Sequence, residues 1–251
     1  MDHAETQRIW IEDFKIHSYE IDMKGTATVP ILCKFMQECA WHHAENLRVG
    51  YSQLSKNGLA WVLSQQRIRF NALPKWGETI RIHTWPSAQK RLAYLRDFKI
   101  LDETKQVIIL ARTKWYAIDL KRRRPQNVNS YFDYNTEGNE QVFSEPLKKL
   151  PEISNSRAAA SFEVRFSDLD VNGHVNNVRY LEWIWDSFSP DFHRANFLRE
   201  IEIHYLAEAF FSDKVSVRND IGEYPMVQHK IIGEKEAKEL CRAQTVWRAN
   251  K

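Results

Sequence analysis

The sequence predicts an α+β protein made of two copies of one unit, each with a long helix packed on a curved antiparallel sheet. Two observations support this prediction: an internal duplication, and helical stripes set among segments that alternate like strands. The chain has 251 residues, a length at the boundary between one domain and two. We therefore expect two compact units in tandem.

The duplication is clearest in two segments, Ile68–Ile80 and Ile203–Val215, which match in character from end to end. Their paired residues are Ile68 and Ile203, Phe70 and Tyr205, Ala72 and Ala207, Trp76 and Phe211, Glu78 and Asp213, and Ile80 and Val215. Two further pairs of segments keep the same order: the stripes Leu32, Phe35, Met36, Cys39 and Leu181, Ile184, Trp185, Phe188, and the strand ends Thr113–Trp115 and Thr245–Trp247.

Each copy is predicted to contain a strand, a helix and then several strands. In the first copy the strands are Ile16–Asp22, Trp61–Phe70, Thr79–Trp85, Tyr94–Asp102 and Val107–Leu120, and the helix is Ile31–Arg48 with Pro30 in its first turn. In the second copy the helix is Val175–Ser187, and the strands are Phe162–Phe166, Leu198–Tyr205, Lys214–Asn219, Pro225–Ile232 and Glu239–Ala249.

Between the copies, residues 126–157 are rich in Asn, Ser, Glu and Pro and show no sustained periodicity. A stretch of this length is uncommon inside one domain but ordinary between two, so it predicts a linker. The predicted division is 1–125, 126–157 and 158–251.

Composition argues against several functional classes. The net charge of +3, with acidic and basic residues interspersed, does not predict a nucleic-acid-binding protein. Three cysteines without Cys-x-x-Cys spacing, Cys33, Cys39 and Cys241, indicate neither a disulfide framework nor a zinc site. Because no apolar signal region opens the chain and no apolar run approaches a membrane span, we expect a cytoplasmic protein without membrane insertion.

The most informative stretch is Asp168–Tyr180, which places several catalytic residue types before a helix. Its polar residues, Asp168, Asp170, Asn172 and His174, fall at every second position, so an extended segment would present them on one side. The free amides and positive dipole end of the following helix favour an anion. We therefore expect a polar cluster aimed at a helix start.

The same stretch also matches the opening of an EF-hand calcium loop, Asp168-x-Asp170-x-Asn172-Gly173. That loop needs a bidentate carboxylate at its twelfth position, and Arg179 stands there. It also needs an entering helix where this sequence predicts a strand. Calcium binding is therefore not expected.

The two copies differ at the residues with catalytic potential. Aligning the helical stripes places Gly25 opposite His174, Met23 opposite Asn172 and Ile21 opposite Asp170, and the strand alignment places Leu73 opposite Glu208. On this alignment the second copy has four polar groups where the first has none. The catalytic site is therefore predicted in the second copy.

These residues permit hydrolysis by an activated water. Glu208 can take a proton from water, His174 can pass a proton to a leaving group, and Asn172 can fix the water or a carbonyl. Asp170 can orient the imidazole and set its tautomer, while the amides of Val175–Asn177 can bind an oxyanion. Neither a metal nor a cofactor is required. The alternatives are a solvent-facing Glu208 in a strand bend and a His174 that only caps the helix or packs in the core.

Several segments together resemble the acyl-acyl-carrier-protein thioesterases of plants and bacteria. They are Ser18–Glu20, Thr26–Thr28, Phe35–Ala40, Trp76–Glu78, Thr84–Trp85, Asp168–Tyr180 and Thr245–Arg248. The resemblance implies two tandem hotdog units, with an acyl-binding N-terminal hotdog and a catalytic C-terminal one. It also implies hydrolysis of the thioester that ends fatty-acid elongation.

By the same resemblance the catalytic network falls on Asp170, Asn172, His174 and Glu208. Many plant members have a cysteine after that glutamate; here Ala209 takes its place, so a Cys–His mechanism is unavailable there. The plant enzymes also carry a plastid transit peptide that this sequence lacks, which is typical of a bacterial enzyme.

The implied partner is acylated acyl carrier protein, an acidic protein. The basic run Lys121, Arg122, Arg123 and Arg124 is predicted either to be a solvated strand end or to contribute to docking this partner. The alternatives for function are an acyl-CoA thioesterase of the same fold, a hotdog hydratase, or a non-catalytic acyl-binding double hotdog. Either a monomer or a homodimer is compatible with two hotdogs in one chain.

Overall fold

The computed structural model describes residues 7–250 except 133–135, 137, 221 and 223. Its contacts divide the chain into two compact units. Unit 1 comprises the chain up to Ser64 together with Asn71–Pro146, and unit 2 comprises Gln65–Phe70 and the chain from Leu147 onward.

The helices and strands follow one another in a similar order in both units. In chain order they are β1 (Trp10–Lys15), α1 (Val29–Asn46), α2 (Tyr51–Leu54), β2 (Leu59–Phe70), β3 (Thr79–Lys90), β4 (Ala93–Leu101), β5 (Val107–Asp119), β6 (Arg124–Gln126), β7 (Arg157–Glu163), α3 (Asn177–Asp186), α4 (Pro190–Ala195), β8 (Asn196–Tyr205), β9 (Lys214–Asp220), β10 (Met226–Gly233) and β11 (Lys238–Ala249). The predicted α+β class is confirmed.

Unit 1 is an antiparallel sheet with strand order β1-β3-β4-β5-β2, against which α1 packs through β1 and β3. The helix begins after Thr28, whose hydroxyl accepts the Ile31 N–H at 3.4 Å, and Pro30 occupies its first turn. Its buried face includes Leu32, Cys33, Met36, Cys39 and Ala40. The predicted apolar stripe of this helix therefore lies in the core.

Unit 2 repeats this arrangement with strand order β8-β11-β10-β9-β7. Gln65–Phe70, the last residues of β2, belong to this unit, and Gln65–Arg69 pair antiparallel with β8. Helix α3 begins after Asn176, whose side chain accepts the Val178 N–H, and it contacts β7. Its buried residues are Val178, Tyr180, Leu181, Trp183 and Ile184.

The predicted strand Ile16–Asp22 is wrong, and the predicted strand Phe162–Phe166 is wrong in its bounds, at equivalent places in the two units. β1 ends at Lys15, one residue before the predicted strand Ile16–Asp22, because the chain then turns and the Glu20 N–H donates to the His17 carbonyl. β7 ends at Glu163, and Phe166 opens a short 3₁₀ turn. In both places buried Ile16 or Val164 alternates with polar neighbours, a pattern that a strand and a turn share.

The predicted linker 126–157, of which 133–135 and 137 lie outside the described residues, contains little regular structure but packs closely. In unit 1 the Val142 N–H donates to Asp97 and the Phe143 carbonyl accepts from Arg112. In unit 2 the carbonyl of Leu150 accepts from Arg242. The boundaries 1–125, 126–157 and 158–251 stay a prediction.

Within the described residues, no helix combines the length and apolar character that a membrane crossing requires.

Candidate active site

The motif before α3 forms a tight loop built on Asp170. The Asp170 N–H donates to the His174 carbonyl at 2.7 Å, and the Gly173 N–H donates to the Asp170 carbonyl at 3.0 Å. One carboxylate oxygen of Asp170 accepts the N–H groups of Asn172 at 2.8 Å and His174 at 3.2 Å. Gly173 has φ +77°, a left-handed conformation that favours glycine. The expectation of an extended segment is therefore wrong.

This loop places His174 beside Glu208. A backbone hydrogen bond of 3.0 Å from Val175 to Ala209 joins the residues that follow each of them. Imidazole Nδ1 lies 3.6 Å from a carboxylate oxygen of Glu208, and the two side chains are 29% and 35% exposed. This distance is longer than a hydrogen bond and suits an ion pair when the imidazole is protonated. The pair is also open enough for a substrate to reach it.

The aromatic ring of Phe210 borders the pair, edge to face with His174 at 5.2 Å between ring centres. Phe210 is itself half exposed, and its N–H donates to Asp213 at 2.8 Å. The imidazole therefore has one apolar wall and one carboxylate neighbour.

The other two predicted catalytic residues lie differently. The hydrogen bonds of Asp170 go to backbone amides, so its predicted contact with the imidazole is not present. The Asn172 side chain is exposed and makes no hydrogen bond within the described part of the chain. Of the four residues, the structure brings His174 and Glu208 together, with Asp170 supporting the loop between them and Asn172 at its rim.

The predicted oxyanion site needs a correction. The N–H of Val175 donates to the Ala209 carbonyl, and the N–H of Asn176 donates to the Asp168 carbonyl at 2.8 Å. Both amides are therefore committed to the protein. Asn177, the first residue of α3, supplies the remaining amide of the predicted set at the positive end of the helix.

The described residues contain no cluster of three or more His, Cys, Asp or Glu placed to hold a metal ion. Ala209, which follows Glu208, is fully buried, and the described cysteines Cys33, Cys39 and Cys241 are free thiols within the protein interior. No thiol stands next to the candidate base.

Unit 1 contains the same loop built on Asp22. The Asp22 N–H donates to the Thr26 carbonyl at 2.9 Å, and the Asp22 carboxylate accepts the N–H groups of Lys24 at 2.9 Å and Thr26 at 3.3 Å. The Ala27 N–H donates to the Pro74 carbonyl at 2.8 Å, just as Val175 does to Ala209. The helix caps Thr28 and Asn176 also correspond.

These matching bonds correct the alignment of the copies by one residue. Thr26 rather than Gly25 is opposite His174, Lys24 rather than Met23 is opposite Asn172, and Asp22 rather than Ile21 is opposite Asp170. Leu73 stays opposite Glu208, because Pro74 matches Ala209. The aspartate is present in both units. At the two neighbouring positions, unit 2 has His174 and Glu208 where unit 1 has Thr26 and Leu73.

Comparison with known proteins gives a family. The model described as the acyl-ACP thioesterase N-terminal domain matches residues 7–133, and that of the acyl-ACP thioesterase C-terminal domain matches residues 152–249. The chain belongs to the acyl-ACP thioesterase family. Among its relatives, an oleoyl-acyl carrier protein thioesterase of Arabidopsis thaliana is 30% identical over 224 residues, which is 81% of this chain and 61% of the relative.

A palmitoyl-acyl carrier protein thioesterase of Cuphea hookeriana is 26% identical over 96% of this chain and 62% of its own length. The chain thus spans about three fifths of these curated relatives. Among solved structures, an acyl-ACP thioesterase from Bacteroides thetaiotaomicron is 25% identical with a TM-score of 0.87, covering 96% of this chain and 98% of that one. A 12:0-ACP thioesterase from Umbellularia californica is 21% identical with a TM-score of 0.83, covering 97% and 98%. The predicted hotdog fold is confirmed.

Proposed function

We propose that this chain hydrolyses the thioester of fatty acyl-acyl carrier protein and releases a free fatty acid, ending elongation. The observation that carries the proposal is the 3.6 Å contact between His174 and Glu208 in unit 2, at positions that Thr26 and Leu73 occupy in unit 1. Membership of the family supports the choice of substrate.

In the proposed reaction, Glu208 accepts a proton from a water as the water oxygen attacks the thioester carbonyl carbon. The carbonyl oxygen becomes an oxyanion. Of the predicted amide donors, Asn177 is the one whose N–H is not used by a backbone carbonyl in the loop, and it is assigned to this oxyanion. When the C=O bond re-forms and the C–S bond breaks, the proton taken up by Glu208 passes through His174 to the thiolate, which restores both side chains. One water and one thioester thus yield a carboxylic acid and a thiol.

The remaining two residues are assigned supporting roles. Asp170 holds the loop that carries His174, through its bonds to the Asn172 and His174 amides. Asn172, exposed at the rim, would orient the water or the substrate carbonyl on binding. With Ala209 after Glu208, no covalent cysteine intermediate is proposed.

We further propose that the N-terminal hotdog supplies most of the acyl cavity, since its helix α1 turns an apolar face with Leu32, Met36 and Cys39 inward. The remaining proposals are a role in bacterial fatty-acid biosynthesis, a cytoplasmic location, and a monomeric or homodimeric state. No cofactor is assigned to the reaction.

The decisive experiment compares carrier-protein and coenzyme A thioesters of one acyl chain as substrates for the wild type, Glu208→Gln and His174→Ala. We expect the wild type to prefer the carrier-linked substrate. Both variants should lose about two to four orders of magnitude in turnover, the range of a positioned acid or base. Glu236→Gln, on an exposed turn of unit 2, is the matched control and should be unaffected.

Three results would contradict the proposal. A coenzyme A preference would make the chain an acyl-CoA thioesterase. Acyl binding without turnover by the wild type would make it a binding protein. A folded Glu208→Gln variant with near-normal turnover would remove the general base.

A further inference from the structure

Glu208 lies between two residues whose backbone groups contact the hydroxyl of Tyr180. Tyr180, in the second turn of α3, places its phenolic oxygen 3.4 Å from the Ala207 carbonyl oxygen. The same hydroxyl has a backbone hydrogen bond with Ala209. Because the phenolic proton points to the Ala207 carbonyl, the hydroxyl accepts from the Ala209 N–H. The hydroxyl therefore bridges the residues on either side of Glu208.

The Tyr180 ring is itself held by the core of unit 2. It is 2% exposed, and its edge-to-face contacts are with Trp183 at 5.3 Å and Tyr205 at 5.8 Å. Because the helix and these rings hold the phenol in place, the close packing leaves its oxygen little room to move. The segment it bridges, by contrast, belongs to neither a helix nor a strand.

Unit 1 lacks each part of this arrangement. The matched helix caps place Leu32 opposite Tyr180, and the matched loop bonds place Pro74 opposite Ala209. Leucine has no hydroxyl and proline has no N–H, so neither bond can form in unit 1. The third difference is Leu73 opposite Glu208. The hydroxyl, the N–H that it accepts and the carboxylate between them are therefore all found in unit 2.

We propose that Tyr180 is a positioning residue, whose hydroxyl holds the peptide groups beside Glu208 so that the carboxylate stays at the imidazole of His174. This inference rests on the proposed role of Glu208 as general base. Tyr180 touches no reacting atom and acts through Glu208.

The test removes the hydroxyl alone, with Tyr180→Phe. The matched control is Tyr205→Phe, because Tyr205 packs against Tyr180 and places its own hydroxyl 3.4 Å from the Gln66 side chain. We expect Tyr180→Phe to lower kcat about tenfold with KM within about twofold, because small misplacements of a catalytic group cost rate more than binding. Tyr205→Phe should keep the wild-type kcat.

A double variant tests whether Tyr180 acts through Glu208. In the Glu208→Gln background, Tyr180→Phe should slow turnover no further, since the group it positions is already absent. A merely structural role would lower turnover equally in both backgrounds. If Tyr180→Phe fails to fold, 4-aminophenylalanine at position 180 retains a donor, and the same comparison is made with that variant.

Hydrogen exchange gives a readout that does not depend on turnover. The Ala209 amide should exchange faster in Tyr180→Phe than in the wild type or Tyr205→Phe. Unchanged exchange at Ala209, unchanged kcat, or an additive loss with Glu208→Gln would each overturn the inference. A wild type inactive on acyl-carrier-protein thioesters would instead overturn the proposed function, while the exchange result would still show whether the hydroxyl holds the loop.

Discussion

A single carboxylate builds the loop that carries the candidate acid, and the same carboxylate is present in the unit without that acid. Asp170 and Asp22 each accept two backbone N–H groups two and four residues ahead. This is the local turn chemistry for which short polar side chains are preferred. The chain therefore offers a matched pair of residues with one structural task and two functional settings.

We expect Asp170→Ala and Asp22→Ala to destabilise the protein by similar amounts, about 1 kcal/mol each, because each loses the acceptor of two amides. Only Asp170→Ala should lower turnover, by about tenfold or more, because His174 is displaced. Urea unfolding and steady-state kinetics on the same preparations separate the two effects. An Asp22→Ala variant as slow as Asp170→Ala would contradict this assignment.

The sequence was enough to single out His174 and Glu208, which the structure brings together, since an imidazole motif and a carboxylate with apolar neighbours both stand out. Their catalytic roles stay a prediction. The one-residue error in aligning the copies arose because apolar side chains match equally well at either offset. The hydrogen bonds of Asp22 and Asp170 fix the offset, but the residue types along the sequence do not reveal these bonds. The proposed role of Tyr180 could not be predicted for a related reason: in the sequence it is one of the apolar residues of a helical stripe.

Among the secondary-structure elements, the β-strands of unit 2 enclose a neutral histidine. His229 on β10 is fully buried, with Nδ1 2.8 Å from the Asn219 side-chain oxygen on β9 and Nε2 2.8 Å from the Thr245 hydroxyl on β11. Burial lowers the pKa of His229 to about 3. Protonation would bury a charge that none of the described carboxylates contacts, so burial favours the neutral ring between these strands.

Acid should therefore weaken unit 2. The His229 pKa is near 6.5 when unfolded and about 3 when folded, so the unfolded state binds the extra proton between these values. The stability that neutral His229 contributes is fully present above about pH 6.5 and is lost as the pH falls, by up to about 1.4 kcal/mol per pH unit. Urea unfolding at pH 7.5 and pH 5 should show a smaller pH difference for His229→Gln than for the wild type. Equal differences would refute the assignment.

A buried ion pair anchors the segment after β6. Asp97 on β4 receives two hydrogen bonds of 2.7 Å from Arg112 on β5 and one of 2.8 Å from the Val142 N–H. The two side chains are 0% and 2% exposed. The composition and missing periodicity of this segment did not predict its packing, because its bonds are made by backbone groups rather than by its side chains.

Removing Asp97 would leave the Arg112 guanidinium buried without its carboxylate. We expect Asp97→Ala to lower the free energy of unfolding by about 3–5 kcal/mol. The control is Asp13→Ala, which removes the carboxylate from the exposed pair with Arg81 and should cost much less. Chemical denaturation measures both. Similar losses in the two variants would contradict the role of burial.

For the whole molecule, the surface charge bears on the proposed encounter with an acyl carrier protein. Lys121–Arg123 lie in the exposed turn between β5 and β6, and Arg124 is the first residue of β6. In this turn the N–H groups of Lys121 and Arg122 donate to Asp119. Such exposed charges change association rates and are screened by salt. Whether this turn docks the carrier protein stays a prediction.

We expect the double variant Lys121→Glu with Arg122→Glu to lower kcat/KM for acyl-carrier-protein about tenfold at low salt, and much less at high salt, because it repels an acidic partner. Turnover of a small thioester should be unchanged. Lys235→Glu, on the exposed turn between β10 and β11, is the matched control. An equal effect on both substrates, or no dependence on salt, would remove this turn from the interface.

The two-unit organisation and the helix of each unit were predictable, because a duplicated pattern of apolar residues reports directly on burial. The grouping of Gln65–Phe70 with unit 2 was not. β2 is a single strand of 12 residues, and nothing in its residue pattern marks Gln65 as the start of a segment that belongs with unit 2. Strand pairing of this kind is decided by long-range contacts rather than by local sequence.

The shared aspartate loop has an evolutionary consequence. A duplicated gene inherits two copies of one backbone loop, and the Asp22 loop shows that its shape persists without the histidine and the glutamate. On the proposed mechanism, the reactive side chains are gained or lost by replacements at Lys24, Thr26, Leu32, Leu73 and Pro74, or at their counterparts, within the same fold. One half of such a protein is free to specialise in holding a substrate while the other retains the chemistry.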